Sequence, residues 1–81
     1  MAEKPISVTI NNAVYLVNSD EGEEHILAVA KMVNERINEL RRAHPNYAAN
    51  KLLTLVILQF ADELKKLEEE YASLLAETEL K

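Results

Sequence analysis

The sequence has no cysteine and no tryptophan, and only one glycine and two prolines among 81 residues. Without cysteine there is neither a disulfide nor a thiolate nucleophile, which fits a reducing compartment. A lone glycine, Gly22, provides no glycine-rich loop for phosphate. No run of about 18 to 20 apolar residues could span a bilayer, and the first segment, MAEKPISVTI, lacks the apolar core of a signal peptide. These absences predict a cytoplasmic protein.

The charge balance argues against nucleic acid and membrane partners. Fourteen acidic and nine basic side chains leave a formal net charge of −5. Binding to a phosphate backbone or an anionic membrane needs clustered Lys and Arg. The pair Arg41-Arg42 has Glu35 and Glu39 close by in sequence. We therefore expect no nucleic acid and no membrane partner, and we interpret most charges as a solvated surface.

No pattern of residues indicates catalysis. There is no HExxH or similar metal motif. His25 and His44 are nineteen positions apart, which on one helix separates them by about 30 Å, too far to share a metal. Asp62 and Glu63 are adjacent, so on a helix they point about 100° apart. The sequence predicts a protein that is not an enzyme and has no cofactor, no metal site and no catalytic residues.

Residues 6–18 have the pattern of a β-hairpin. Apolar residues alternate with Ser and Thr over 6–10, as in a half-buried strand. Asn11-Asn12 follows, and asparagine tolerates the positive φ that a two-residue hairpin turn requires. This loop length predicts three pairs on one face of the hairpin: Ile10 with Ala13, Val8 with Tyr15, and Ile6 with Val17. An isolated hairpin is marginal in water, so this face must pack on another element.

A first helix is predicted over residues 21–43. Asp20 has the sequence context of an N-cap, with Glu23 completing a capping box. Pro45 ends the helix, because the residue before proline avoids the helical region. Apolar residues recur at helical spacing along it and form one stripe: Ile26, Val29, Ala30, Val33, Ile37 and Leu40.

A second helix is predicted over residues 48–78, about 45 Å long at 1.5 Å per residue. Seven apolar residues recur along it at alternating spacings of four and three: Leu53, Ile57, Phe60, Leu64, Leu67, Tyr71 and Leu74. The mean period of 3.5 is typical of a left-handed coiled coil. We call this set the seam and predict that it is an oligomer interface with another copy, while one side of residues 52–61 packs on the hairpin and first helix.

The predicted helix lengths argue against one alternative to this assembly. An intramolecular helix hairpin without a partner is disfavoured, because the first helix is shorter than the second and cannot follow the whole seam. The direction of the helices and the choice between a dimer and a tetramer stay open, since three heptads of mixed Ile, Phe, Leu and Tyr specify neither.

The order of these elements resembles a known family. The hairpin SVTINNAVYLV, the connector HPN and the segment ILQFADELKKLEEEY are similar to the ZapA family in its short form, over roughly residues 6–75. The resemblance implies one domain over 1–81 of mainly α (α+β) class, with an N-terminal β-hairpin, one amphipathic helix and one long C-terminal helix that forms an intersubunit coiled coil.

The resemblance also implies a function in cell division. Such proteins are cytoplasmic partners of FtsZ that form homodimers, and often tetramers, and that cross-link and align FtsZ filaments at the division ring at mid-cell. Their filament-facing surface maps here onto Asn12, Ala13, Asn50, Lys51 and Leu55. Many relatives have a basic residue at the position of Ala13 and an acidic one at that of Asn50. The seam alone is equally compatible with a structural coiled-coil oligomerisation module for another cytoplasmic protein.

Overall fold

The computed structural model describes residues 4–79, with the side chains of residues 4–78. Within this range the chain forms strand β1 (Pro5–Ile10), strand β2 (Ala13–Asn18), helix α1 (Glu23–Ala43) and helix α2 (Ala49–Glu79). The strands form an antiparallel hairpin. Pro5 is accommodated as the first residue of its strand, where its missing N–H costs no ladder hydrogen bond. The predicted fold class, mainly α with an N-terminal hairpin, is confirmed.

The hairpin has the predicted register. Asn11 and Asn12 form the turn with φ of 51° and 68°, values that asparagine adopts more readily than other non-glycine residues. The inward face of β1 packs on α1, where Ile6, Val8 and Ala30 form a small buried cluster. The three predicted pairs are all present: Ile6 with Val17, Val8 with Tyr15, and Ile10 with Ala13.

The start of α1 differs from the prediction. The helix begins at Glu23, and its N-cap is Gly22, with φ of 94° and no side-chain cap hydrogen bond. The prediction that Asp20 caps the helix is therefore wrong. The chain leaves β2 through a turn in which Ser19 Oγ accepts the Glu21 N–H at 3.0 Å. The left-handed backbone that follows suits glycine, which has no Cβ to clash, so the helix starts two residues later than expected.

A second buried cluster joins the two helices. Ile37, only 1% exposed, packs with Leu40, Leu52 and Val56. The inner side of α2 therefore centres on Leu52 and Val56, which the heptad pattern does not include. Of the predicted α1 stripe, Val29 is 41% exposed. Half-buried residues surround the cluster: Ile10, Val33, Tyr47, Leu53, Leu55 and Phe60.

The second half of α2 projects away from the other elements. All residues from 61 to 78 are exposed. The radius of gyration is 16.7 Å, compared with about 12 Å for a compact chain of this length. The principal extents, 50 × 42 × 15 Å, describe a flat, angled molecule. Nothing in the described part of the chain covers this projecting half.

Candidate interaction surfaces

The structure divides the predicted seam into two parts. Leu53 and Phe60 are half-buried beside the cluster that joins α1 and α2. The remaining members are strongly exposed, between 58% and 67%: Ile57, Leu64, Leu67, Tyr71 and Leu74. Large apolar side chains repeated at this spacing form a continuous stripe on one side of the helix. Such a stripe is typical of a surface that a partner covers.

Further exposed apolar residues lie on the head, which we define as residues 5–60. Val14 and Leu16, on the outer face of the hairpin, are 67% and 73% exposed. Leu27 and Met32 of α1 are exposed as well. The sequence analysis did not identify Leu27 and Met32, which lie outside the apolar stripe predicted for α1.

Arg36 connects the two helices through three residues of α2. Its guanidinium donates to Gln59 Oε1 at 3.1 Å and to both carboxylate oxygens of Glu63. The same group lies 4.6 Å from the centroid of the Phe60 ring, within the range of a cation–π interaction. The hydrogen bond from Arg36 lowers the pKa of Glu63 from its ordinary 4.5, and the reciprocal bond raises the pKa of Arg36. The contact stabilises the charged forms of both groups.

The residues predicted to face a filament lie at one end of the molecule. Ile10, immediately before the hairpin turn, and Leu55 of α2 both pack against the cluster between the helices. The hairpin turn, held by Arg41, and the start of α2, which follows the connector, therefore both lie near the C-terminal end of α1. Asn12, Asn50 and Lys51 are exposed there. Ala13 and Leu55 are half-buried, so they present less surface to a partner.

Three polar residues of α1 hold the hairpin turn in place. Asn34 accepts the Asn11 N–H through Oδ1 at 2.9 Å and donates from Nδ2 to the Thr9 carbonyl at 2.8 Å. Arg41 donates to Asn11 Oδ1 at 2.6 Å and to Asn38 Oδ1 at 3.0 Å. The sequence reasoning missed this network. The signal was the spacing of Asn34, Asn38 and Arg41, which places them on one face of a helix.

The connector between the helices is ordered by stacking. The rings of His44 and Tyr47 are nearly parallel, with centroids 4.4 Å apart. Lys51 Nζ lies 4.2 Å from the centroid of Tyr47. The His44 carbonyl accepts the Tyr47 N–H at 3.1 Å. These contacts bring Lys51, one of the predicted filament-facing residues, to the junction of α1 and α2.

The described residues show no arrangement that would support metal chemistry. None of their His, Asp and Glu side chains form a group of three or more that could hold a metal ion. His25 is exposed and His44 is half-buried in its stack. In the same part of the chain, neither helix is both long enough and apolar enough to cross a membrane.

Three comparisons with known proteins indicate the same family. The profile of the family described as "Cell division protein ZapA" matches residues 6–81. A protein of that name from Shouchella clausii is 35% identical over 69 residues, covering 85% of this chain and 88% of the relative. Another, from Geobacillus thermodenitrificans, is 33% identical over 79 residues, covering 94% of this chain and 87% of the relative. A solved "ZapA mutant dimer" from Geobacillus stearothermophilus is 30% identical with a TM-score of 0.83, covering 98% of this chain and 92% of that one.

Proposed function

The chain belongs to the ZapA family of cell division proteins, and from this we propose that it binds FtsZ filaments and cross-links them. It acts in the cytoplasm at the division site, as a non-enzymatic protein that self-associates through α2. In this function the two surfaces have different tasks. The seam joins copies of the chain, and the hairpin turn with the start of α2 contacts the filament.

The observation that carries the proposal is the exposed part of the seam. Five large apolar side chains, each more than half exposed, line α2 at coiled-coil spacing, and four of them are on its projecting half. Water-exposed apolar area of this extent is unfavourable, and a second copy of the same helix would bury it. The similar structure from Geobacillus stearothermophilus is described as a mutant dimer, which supports self-association of this chain. Pairing of two dimers into a tetramer is a further part of the proposal.

Joining heads through a stiff helix supplies the mechanism of cross-linking. One head binds a filament weakly, and its partner is then held at a high effective concentration near a second site. Avidity can exceed single-head affinity by about 100-fold or more when the geometry permits both contacts. Because most of the exposed seam is in the projecting half of α2, self-association leaves the hairpin turns free to contact filaments.

The filament-facing surface is polar and small. Asn12, Asn50 and Lys51 are exposed at one end of the head, with the apolar side chain of Leu55 half-buried between the elements. A surface with few apolar anchors is suited to weak, reversible contacts, because affinity is concentrated in buried aromatic and Arg residues. Weak single contacts fit a cross-linker whose strength comes from joining several heads.

Co-pelleting with the cognate FtsZ tests the proposal. FtsZ is polymerised with GTP, and the same mixture with GDP is the unpolymerised control. We expect enrichment of the chain in the GTP pellet together with thicker filament bundles. Lys51→Glu should reduce the enrichment, whereas Lys65→Glu, an equal charge change on an exposed part of α2 outside the seam, should not. Equal amounts in the GTP and GDP pellets would instead favour an oligomerisation module for a different protein.

A further inference from the structure

Arg41 is an exposed cation held in one position beside the hairpin turn. Its Nη2 donates to Asn11 Oδ1 at 2.6 Å and its Nη1 to Asn38 Oδ1 at 3.0 Å. Both acceptors are neutral amide oxygens. Among the side chains of residues 4–78, no carboxylate pairs with this guanidinium. Its orientation is therefore restrained while its charge is not neutralised.

The neighbouring Arg42 has different surroundings. It lies on an adjacent face of α1, where it lines a shallow surface depression with Asn38 and two carboxylates, Glu35 and Glu39. Neither carboxylate is within ion-pair distance of Arg42. The two consecutive arginines differ in position, because only Arg41 hydrogen-bonds to the hairpin turn.

We propose that Arg41 binds a carboxylate on the FtsZ filament, as the charged anchor of the surface around the hairpin turn. This inference rests on the proposed function and adds to it both a specific residue and the chemistry of the partner. The turn itself supplies no charge, since Asn11, Asn12 and Ala13 are neutral. The cation beside the turn comes from α1 and is held there by the bond to Asn11.

The geometry favours a carboxylate as the partner group. A guanidinium has five N–H donors in a planar fork, and two of them are used by the amide oxygens. The donors that are left can accept a carboxylate, for which the fork is well shaped. A phosphate-rich polymer would require a cluster of basic residues. The chain has a net charge of −5, so a single restrained cation is better suited to an acidic patch on a protein than to a phosphate-rich polymer.

The test compares Arg41→Gln with Arg42→Gln in quantitative co-pelleting with FtsZ polymerised by GTP, over a series of KCl concentrations. The two variants lose the same charge from neighbouring positions. We expect Arg41→Gln to weaken binding about tenfold, the loss of one charge-assisted hydrogen bond, and Arg42→Gln to change it about twofold or less. Arg41→Gln should also reduce the dependence of binding on salt. Arg41→Lys should be intermediate, because it keeps the charge but not the fork.

A further variant separates binding by Arg41 from support of the turn. Asn11→Gly removes the side-chain anchor and keeps the cation, while glycine adopts the positive φ of that position without strain. If Arg41 only supported the turn, Asn11→Gly would weaken binding as much as Arg41→Gln and the salt dependence would be unchanged. That result, or equal binding by the two Arg→Gln variants, would overturn the inference. Failure of the unchanged chain to pellet with polymerised FtsZ would overturn the proposed function itself.

Discussion

Arg36 of α1 and Glu63 of α2 form a two-point ion pair across the angle between the helices, with Nη2 and Oε1 3.0 Å apart. The pair lies where α2 starts to project into solvent, and every residue from 61 to 78 is exposed. The planar guanidinium also lies over Phe60 and bonds Gln59. Together these contacts join α1 to α2 where α2 starts to project from the head.

Loss of this contact should loosen the angle between head and projecting helix. Arg36→Gln removes the ion pair and the cation–π contact, whereas Lys31→Gln removes one exposed positive charge elsewhere on α1 and is the matched control. We expect a lower melting temperature for Arg36→Gln alone. Because the chain has no cysteine, Glu24→Cys and Glu69→Cys can be spin-labelled at unique sites. The distance distribution between these labels should broaden in Arg36→Gln, and an unchanged distribution would contradict the role assigned to the pair.

Stability should depend on the ionisation of Glu63 in acid. The hydrogen bond from Arg36 lowers the pKa of Glu63 from 4.5, so the folded chain binds this proton less readily than the unfolded chain. The resulting stabilisation is complete above the unfolded pKa and is lost as pH falls through the folded pKa. Urea unfolding of the unchanged chain and of Glu63→Gln checks this. Their difference should be constant above about pH 5.5 and shrink below 4.5. A difference that does not shrink as the pH falls below 4.5 would show that the pair is not the cause.

The hairpin turn should favour glycine over a β-branched residue at its second position. Asn12 has φ of 68° and is exposed. Asn12→Gly should leave stability unchanged or raise it slightly, whereas Asn12→Val should lower the free energy of unfolding by about 1–3 kcal/mol through backbone strain. Thermal unfolding measured by circular dichroism distinguishes the two. Equal melting temperatures would mean that the turn can relax to another conformation.

Self-association should depend on the seam and not on the other sides of α2. Leu67→Glu places a carboxylate in the centre of the exposed stripe, where burial of an unpaired charge is strongly unfavourable. Ser73→Glu adds the same charge to an exposed position off the seam. Light scattering should give a monomer mass for Leu67→Glu and the mass of the unchanged chain for Ser73→Glu. Equal masses for the two variants would remove the seam from the interface.

Local sequence patterns were sufficient to predict the hairpin and its register. Alternation specifies which residues face the core, and Asn11-Asn12 specifies a two-residue loop, so the register follows from both together. The start of α1 could not be predicted in the same way. Asp20 and Glu23 match a capping box, but the path from β2 to α1 requires positive φ at Gly22, and that requirement arises only from the packed hairpin.

The seam shows that a heptad pattern does not predict all the contacts of a helix. A heptad pattern identifies residues on one side of a helix but not what each one contacts. Leu53 and Phe60 fit the repeat and yet lie beside the α1 cluster, while Leu52 and Val56, outside the repeat, form its centre. Likewise, the bonds from Arg41 to Asn11 and from Arg36 to Glu63 join residues about thirty positions apart. Contacts of that range depend on tertiary packing, which no local pattern encodes.

The most direct test of the account separates binding from cross-linking in one experiment. FtsZ polymerised with GTP is mixed with the unchanged chain, Leu67→Glu or Ser73→Glu and centrifuged first at low speed, which collects bundles, and then at high speed, which collects single filaments. We predict that the unchanged chain and Ser73→Glu move FtsZ into the low-speed pellet. Leu67→Glu should leave FtsZ in the high-speed pellet, because single heads bind without joining filaments. Bundling by Leu67→Glu equal to that of the unchanged chain would contradict the claim that α2 joins the heads.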